Sequence, residues 1–254
     1  MEKSTKLGWP FDPKTLSASS KIILMEDDQT ALQSSSTIMT PSSSNPQILK
    51  PSSLAESLTL RSLCTWDREA VESLCNESFP IQYPDCWYDE VVSGGLQSTG
   101  LFDQGNLAAM IVSETKCLYD CNLEDQGILA DSNAQVMYIL SIAVSKKFRR
   151  LGLATRLLSH LFSALVEQPP YPRAVFLHVL STNSAALSFY KMHGFEFHAS
   201  LQNYYRIGEN YADGCTYVKY TNGVQAPVTF TDVCRTLGST ICMPLKALCK
   251  MLSF

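Results

Sequence analysis

The sequence has no CxxC pair, no internal repeat, no excess of basic charge and no apolar run near the ~18 residues that a bilayer-spanning helix needs. Each absence removes a class of protein. Lys and Arg number 20 against 24 Asp and Glu, so the net charge is -4, the wrong sign for a general nucleic-acid binder. Only four histidines occur, at 160, 178, 193 and 198, scattered along the chain, which leaves a structural zinc site without support. No metal is expected. The nine cysteines are spread out and odd in number, and Met1 to Pro10 has no signal-peptide pattern, so a reducing compartment is expected. An integral helix bundle is excluded.

A chain of 254 residues suits one domain with appendages. Met1 to about Pro51 is rich in Ser and Thr, with SSSTIMTPSSSNP from Ser34 to Pro46, and is expected to be a disordered leader over residues 1–55. A domain over 56–223 opens with SLTLRSL, where Leu58, Leu60 and Leu63 predict a half-buried strand, and Thr65 is placed to cap a helix running to about Glu77. FPIQYPDCWY, Phe79 to Tyr88, reads as an aromatic loop leading into a short helix near Asp89. It either walls a pocket or plugs the edge of the core. Strands follow at Leu96–Phe102 and Leu107–Ser113, joined by a hairpin turn, and Glu114 to Ala134 reads as an exposed polar excursion. Further on come a strand at Ala174–Leu180, a helix at Asn183–Met192 and a closing hairpin that holds Tyr204, Tyr205 and Tyr211. The order predicts an α+β (mixed α/β) fold with a mixed sheet covered by helices.

Gln135 to Leu158, QVMYILSIAVSKKFRRLGLATRLL, carries the most chemistry. Val136 to Val144 is a nearly unbroken apolar run that reads as a strand buried on both faces. Lys146, Lys147, Arg149 and Arg150 make a basic turn, and Leu153, Leu157, Leu158, Leu161 and Leu165 mark one face of the helix after it. The first turn of a helix leaves N–H groups unpaired at the positive end of its dipole. Phosphate fits there, small residues at 152 and 154 let it approach, and arginines add charge-assisted hydrogen bonds. An ordinary solvated basic face would look the same.

The segment R-R-L-G-L-A has the form R-x-x-G-x-A, which resembles the acetyl-coenzyme A pyrophosphate loop of GNAT acetyltransferases. With Tyr138 in the central strand, LHVLSTNSAALSFY carrying His178, Asn183 and Tyr190, and the H-G-F that follows, the chain resembles GNAT N-terminal acetyltransferases. More narrowly, FPIQYPDCWY, QVMYILSIAV, LHVLSTN and the Tyr204–Tyr205 pair resemble the NatF type, a Golgi-anchored branch, over roughly Ser57 to Ile241. The resemblance implies the GNAT acyltransferase fold, with helices on both faces of the sheet. It implies direct transfer of acetyl from acetyl-CoA to the α-amino group of proteins that keep their initiator Met, such as Met-Lys and Met-Leu starts. In that reading Tyr138 and His178 are general bases. Ile142, Ala143 and Val144 pair with pantetheine, and Arg150, Leu151, Gly152, Leu153, Ala154 and Thr155 form the pyrophosphate loop. Asn183, Tyr190, Lys191, Met192 and His193 are further cofactor contacts, while Phe79, Tyr83, Leu140, Tyr204 and Tyr205 hold the substrate N-terminus. Gln82 stands where the family usually has glutamate, and an amide cannot act as a base.

An α-amine with a pKa of about 7.7–8.0 must lose a proton before it attacks a thioester. An unperturbed histidine near about 6.5 suits that task better than a tyrosine near about 10. Each residue also has a structural reading: His178 as a satisfied core histidine, Tyr138 as a core aromatic, Asn183 as a helix N-cap. Residues 224–254 carry Val228, Phe230, Val233, Leu237 and Ile241 on one face, then Leu245, Leu248, Met251 and Leu252 beside Lys246 and Lys250. Such amphipathic stretches either lie in a membrane interface or pack back on the domain. The resemblance implies the former: peripheral attachment to the cytosolic face of the Golgi, transmembrane proteins with cytosolic N-termini as substrates, no nucleic acid, and a monomer or weak homodimer. The alternatives are a lysine (histone) acetyltransferase and a catalytically inactive acetyl-CoA-binding module at a membrane.

Overall fold

In the computed structural model, which describes residues 57–81, 83–167 and 169–224, strands and helices alternate. The order is β1 (Thr59–Ser62), α1 (Arg68–Ser78), α2 (Asp85–Ser93), β2 (Gln97–Asp103), β3 (Asn106–Cys117), β4 (Gln135–Val144), α3 (Leu153–Glu167), β5 (Ala174–Leu180), α4 (Ser184–Met192), β6 (Glu196–Ile207) and β7 (Asn210–Tyr220). The expected leader, Gln82 and the tail from residue 225 lie outside the described residues. All seven strands form one sheet in the order β1-β2-β3-β4-β5-β7-β6. Every pairing is antiparallel except β4 with β5, where α3 supplies the crossover that a parallel pair requires.

Helices cover both faces. Val71, Leu74 and Cys75 of α1 and Trp87 and Val91 of α2 pack on one side with Val136, Tyr138 and Phe176. Leu153, Leu157, Leu158, Leu161 and Leu165 of α3 pack on the other with Ile139, Ile142 and Val175, which is the stripe their spacing predicts. The β2–β3 turn uses Gln104 and Gly105, both at positive φ, the arrangement that suits the twist of a two-residue hairpin.

Three expectations need correction. The helix expected near Asp89 begins at Asp85, because Pro84 ends the loop in extended backbone and gives up no hydrogen bond there; Trp87 and Tyr88 are therefore helical and buried. Thr65 is not the cap of α1: a short 3-10 turn intervenes, and the Asp67 carboxylate accepts the Cys64 N–H at 3.0 Å. The largest difference is in the polar excursion. Glu114 to Cys117 extend β3 opposite Gln135 to Tyr138, and the loop from 118 to 134 buries Leu118, Cys121, Asp125, Ile128 and Leu129. Those apolar residues follow neither a helical nor a strand period, so periodicity could not find them.

Asp67 joins the first strand to the first helix. It accepts two hydrogen bonds from Arg61, at 2.6 and 2.8 Å, and Arg61 also lies 3.7 Å over the Phe102 ring. The Arg61 guanidinium, with help from Cys64, holds the buried Asp67 carboxyl down at about 2. A carboxylate depressed in the folded state stabilises above its unfolded value and loses that contribution as pH falls toward the folded one. We expect Asp67→Asn to lower the unfolding free energy at neutral pH by about 2 kcal/mol. In denaturant titrations the gap from wild type should close between about pH 4 and about pH 2.

Candidate active site

The ladder between β4 and β5 contains only three residue pairs: Val136–Ala174, Met137–Val175 and Tyr138–Phe176. Past Tyr138 the two strands diverge. The cause lies partly in β4, where Val112 pairs with Ser141 and Ser113 with Ile139, so that Leu140 is an extra residue forming a β-bulge. Before the bulge Met137 and Ile139 face the α3 layer; after it Ile142 and Val144 do. The bulge thus bends the strand and resets its facing where the fork opens. Each strand then presents an inner edge of backbone N–H and C=O groups, which a ligand can pair with.

On one side of the fork is a cleft of about 510 Å³. Ile142, Ala143 and Val144 line it along β4, and Arg150, Gly152, Leu153, Ala154 and Thr155 line it at the start of α3, as the resemblance implies. Arg150 and Gly152 both have positive φ, 64° and 80°, which turns successive N–H groups toward one point. A Cβ at 152 would meet nothing within 4 Å, so the glycine serves the backbone conformation rather than clearance. The first intrahelical bond runs from Arg156 N–H to Gly152 C=O. The N–H groups of residues 153 to 155 therefore precede the intrahelical ladder, as an anion site requires.

The structure does not bring the expected contacts from α4 together. Met192 lines the cleft, but Tyr190 is buried in the α3-side core, Lys191 is exposed, and His193 Nδ1–H donates to the Phe189 carbonyl at 2.8 Å. Four consecutive helical residues cannot share one face. The lining set is Ala185, Ser188, Phe189 and Met192, at the three- and four-residue spacing of a helix, and that spacing was the signal available in the sequence. Asn183 is the N-cap of α4, its Oδ1 accepting the Ala186 N–H at 3.0 Å, and Leu151 packs on the α3-side core; neither lines the cleft. Phe148 and Arg149 of the basic turn and Ser78 of α1 line it without having been expected.

On the other side of the fork His178 is 1 % exposed and at the centre of a polar cluster. Its Nε2 lies 2.8 Å from Asp125 Oδ1, and its Nδ1 lies 2.7 Å from the Tyr204 hydroxyl and 3.1 Å from that of Tyr138. A carboxylate oxygen accepts, so Nε2 carries the proton and Nδ1 is left to accept from the hydroxyls. Asp125, 2 % exposed, was missed, because a lone Asp in a polar stretch has no sequence signature. Burial, then the nearby Asp125 and Glu114 carboxylates, raises the Tyr138 hydroxyl well above 10. Tyr138 thus keeps its proton at neutral pH, which favours an orienting role for it over that of a general base. Burial also raises Tyr204 well above 10, with Tyr138 and Asp125 adding to it.

Of the residues expected to hold a substrate, Phe79, Tyr83, Leu140 and Tyr205 are all buried, and Tyr83 stacks on Trp87 at 4.1 Å. Tyr204 is half-buried and bonds directly to His178. Its aim comes from an irregularity in β6: Leu201 pairs with Gly214 and Tyr205 with Ala212, so residues 202 to 204 bulge opposite Asp213. Asn203 takes φ of 50° there, and its N–H donates to Asp213 Oδ1 at 2.8 Å. Gln82 lies outside the described residues.

The family model described as Acetyltransferase (GNAT) family matches residues 61–195. The chain is 40% identical over 197 residues to N-alpha-acetyltransferase 60 of Xenopus tropicalis, covering 76% of this chain and 81% of that one. It is 38% identical over 196 residues to N-alpha-acetyltransferase 60 of Danio rerio, covering 75% and 81%. A crystal structure of Arabidopsis thaliana NAA60 in complex with a bisubstrate analogue matches with a TM-score of 0.61 at 25% identity, covering 66% of this chain and all of that one.

Gly214 sets the position of the tyrosine pair. A Cβ there would lie 2.8 Å from Tyr205 Cε2 and 3.2 Å from Tyr204 Cδ1. Gly214→Ala should push Tyr204 away from His178. Turnover should fall roughly 10- to 100-fold, as expected for a small misplacement at a reacting centre, while thermal denaturation shows a cost of only about 1–3 kcal/mol.

Proposed function

The chain belongs to the GNAT acetyltransferase family, and on that premise we propose that it acetylates the α-amino group of protein N-termini with acetyl-CoA as donor. The observation that carries this reading is the fork itself. A cleft that ends in a helix N-terminus and arginines runs along β4, and the diverging β5 carries a buried imidazole held between a carboxylate and two hydroxyls.

The residues fit acetyl-CoA. Arg149, Arg150 and the N–H groups at the start of α3 suit its diphosphate, and the open edge of β4 from Ile142 to Val144 suits its amide-bearing arm. Acetyl-CoA supplies an activated acetyl thioester, whose acyl carbon forms the new amide as the C–S bond breaks. The chain's own residues manage the proton. The Tyr204 hydroxyl already donates to His178 Nδ1, so as it takes a proton from the substrate amine it passes its own to that nitrogen. Asp125, on Nε2, balances the imidazolium and fixes which nitrogen accepts. Tyr138 stays protonated and orients.

The substrates we propose are N-termini that retain methionine, with Phe79, Tyr83, Leu140 and Tyr205 enclosing the methionine side chain in an apolar aromatic setting. The further reading is a monomer or weak homodimer attached through residues 224–254 to the cytosolic face of the Golgi, acting on transmembrane proteins with cytosolic N-termini. Its support is the amphipathic patterning of that tail, nearly all of which lies outside the described residues.

Incubation of the full chain with acetyl-CoA and lysine-containing peptides that begin with free Met, read by mass spectrometry, tests the reaction. Product is expected on the α-amine, and His178→Ala should reduce it by roughly 10²- to 10⁴-fold, the worth of a positioned proton acceptor. Product on lysine alone would overturn the N-terminal reading. Deleting residues 225–254 should move the protein from membrane to soluble fractions while peptide acetylation persists; membrane retention would refute the anchor.

A further inference from the structure

Ser78 ends α1 at the wall of the cleft and is 3 % exposed. Its Oγ has no hydrogen-bond partner among the described residues. A buried hydroxyl left unpaired costs free energy, so a site that keeps one has its partner elsewhere. The groups around it are committed: Phe79 N–H closes onto the Cys75 carbonyl, and the Glu77 carboxylate accepts the Lys146 N–H at 2.7 Å and the Ser145 hydroxyl at 3.4 Å. Glu77 thus clamps the end of α1 to the turn between β4 and α3, which holds Ser78 on the wall of a cleft that Ala143 and Val144 also line. The other polar side chains of the cleft are the arginines and Thr155 at the helix start, and the exposed Ser188. Ser78 is the buried one among them.

Building on the acetyl-CoA reading above, we propose that Ser78 is a cofactor-binding residue whose hydroxyl hydrogen-bonds an amide of the pantetheine arm. The β4 edge offers that arm backbone groups from one side, and Ser78 closes on it from α1. The unpaired state of the hydroxyl in the ligand-free chain is then what makes the contact selective. Its hydrogen bond forms only when an amide-bearing arm fills the cleft, whereas an apolar or shorter group leaves it unmet.

Isothermal titration of the full chain with coenzyme A and with 3′-phospho-ADP, which has the nucleotide and diphosphate but no arm, tests this. Ser78→Ala should weaken coenzyme A binding roughly 5- to 10-fold, the worth of about one hydrogen bond, and leave 3′-phospho-ADP binding unchanged. Ligand-free Ser78→Ala should melt at or above the wild-type temperature, since it loses only an unpaired hydroxyl, and coenzyme A should raise its melting temperature by less than it raises that of wild type. Ser78→Thr, which keeps the hydroxyl, should bind coenzyme A more tightly than Ser78→Ala. Coenzyme A affinity within twofold of wild type in Ser78→Ala, or an equal loss for both ligands, would overturn the assignment while leaving the acetyl-CoA reading in place. A wild-type chain that binds neither ligand would overturn the donor reading and this assignment with it.

Discussion

Three residue pairs hold β4 to β5, and the working parts of the molecule depend on that ladder stopping where it does. A parallel pair that continued would satisfy its own backbone groups and leave no open edge. The bulge at Leu140 bends β4 away, and the separate partners of the two strands, β3 and β7, keep each rigid while they diverge. An open edge inside a sheet would ordinarily be a liability. Here α1 and α3 flank it, so what reaches it must fit the cleft between them.

The same fork decides where the histidine sits. Phe176 is the last residue of β5 paired to β4, and His178 follows two residues later on the same face, with Thr216 of β7 opposite it. Its imidazole therefore occupies the divergence itself. Three elements distant in sequence converge on it: Tyr138 from β4, Asp125 from the loop after β3, and Tyr204 from the bulge in β6. The hydrogen bond from His178 to Asp125 also ties to the sheet a loop that buries Leu118, Cys121, Ile128 and Leu129. Loop packing and imidazole orientation are one constraint, so neither changes without the other.

Much of this was legible in the residue order, and the exceptions share a cause. The mixed sheet covered by helices, the strand-turn-helix unit and the apolar stripe of α3 follow from local period, the GNAT fold from the resemblance of motifs in order, and the structure and the family match agree with that fold. His178 and the start of α3 were found as ordered motifs. Asp125 was not, because its role exists only through a contact 53 residues away. The α4 contacts were misplaced for a different reason. A run of adjacent residues was carried over where helix geometry permits only Ala185, Ser188, Phe189 and Met192 to share a face. Ser78, proposed above as a cofactor contact, offered no pattern, being a serine at a helix end without a hydroxyl partner among the described residues.

The electrostatics of the cluster weigh against a phenolate at either tyrosine. Asp125, Glu114 and Glu124 all act to raise the Tyr138 hydroxyl, and Asp125 and Glu124 do the same to Tyr204. Lys116, 5.6 Å from the Tyr138 ring centre, is paired to Glu114 at 2.8 Å and so does little to offset them. A phenolate in that setting would put a negative charge among carboxylates in a buried site. On the proposed route the Tyr204 hydroxyl, bonded to His178 Nδ1, passes a proton on without becoming a phenolate, while Tyr138 stays protonated and orients. That is the electrostatic order a transfer from an amine requires.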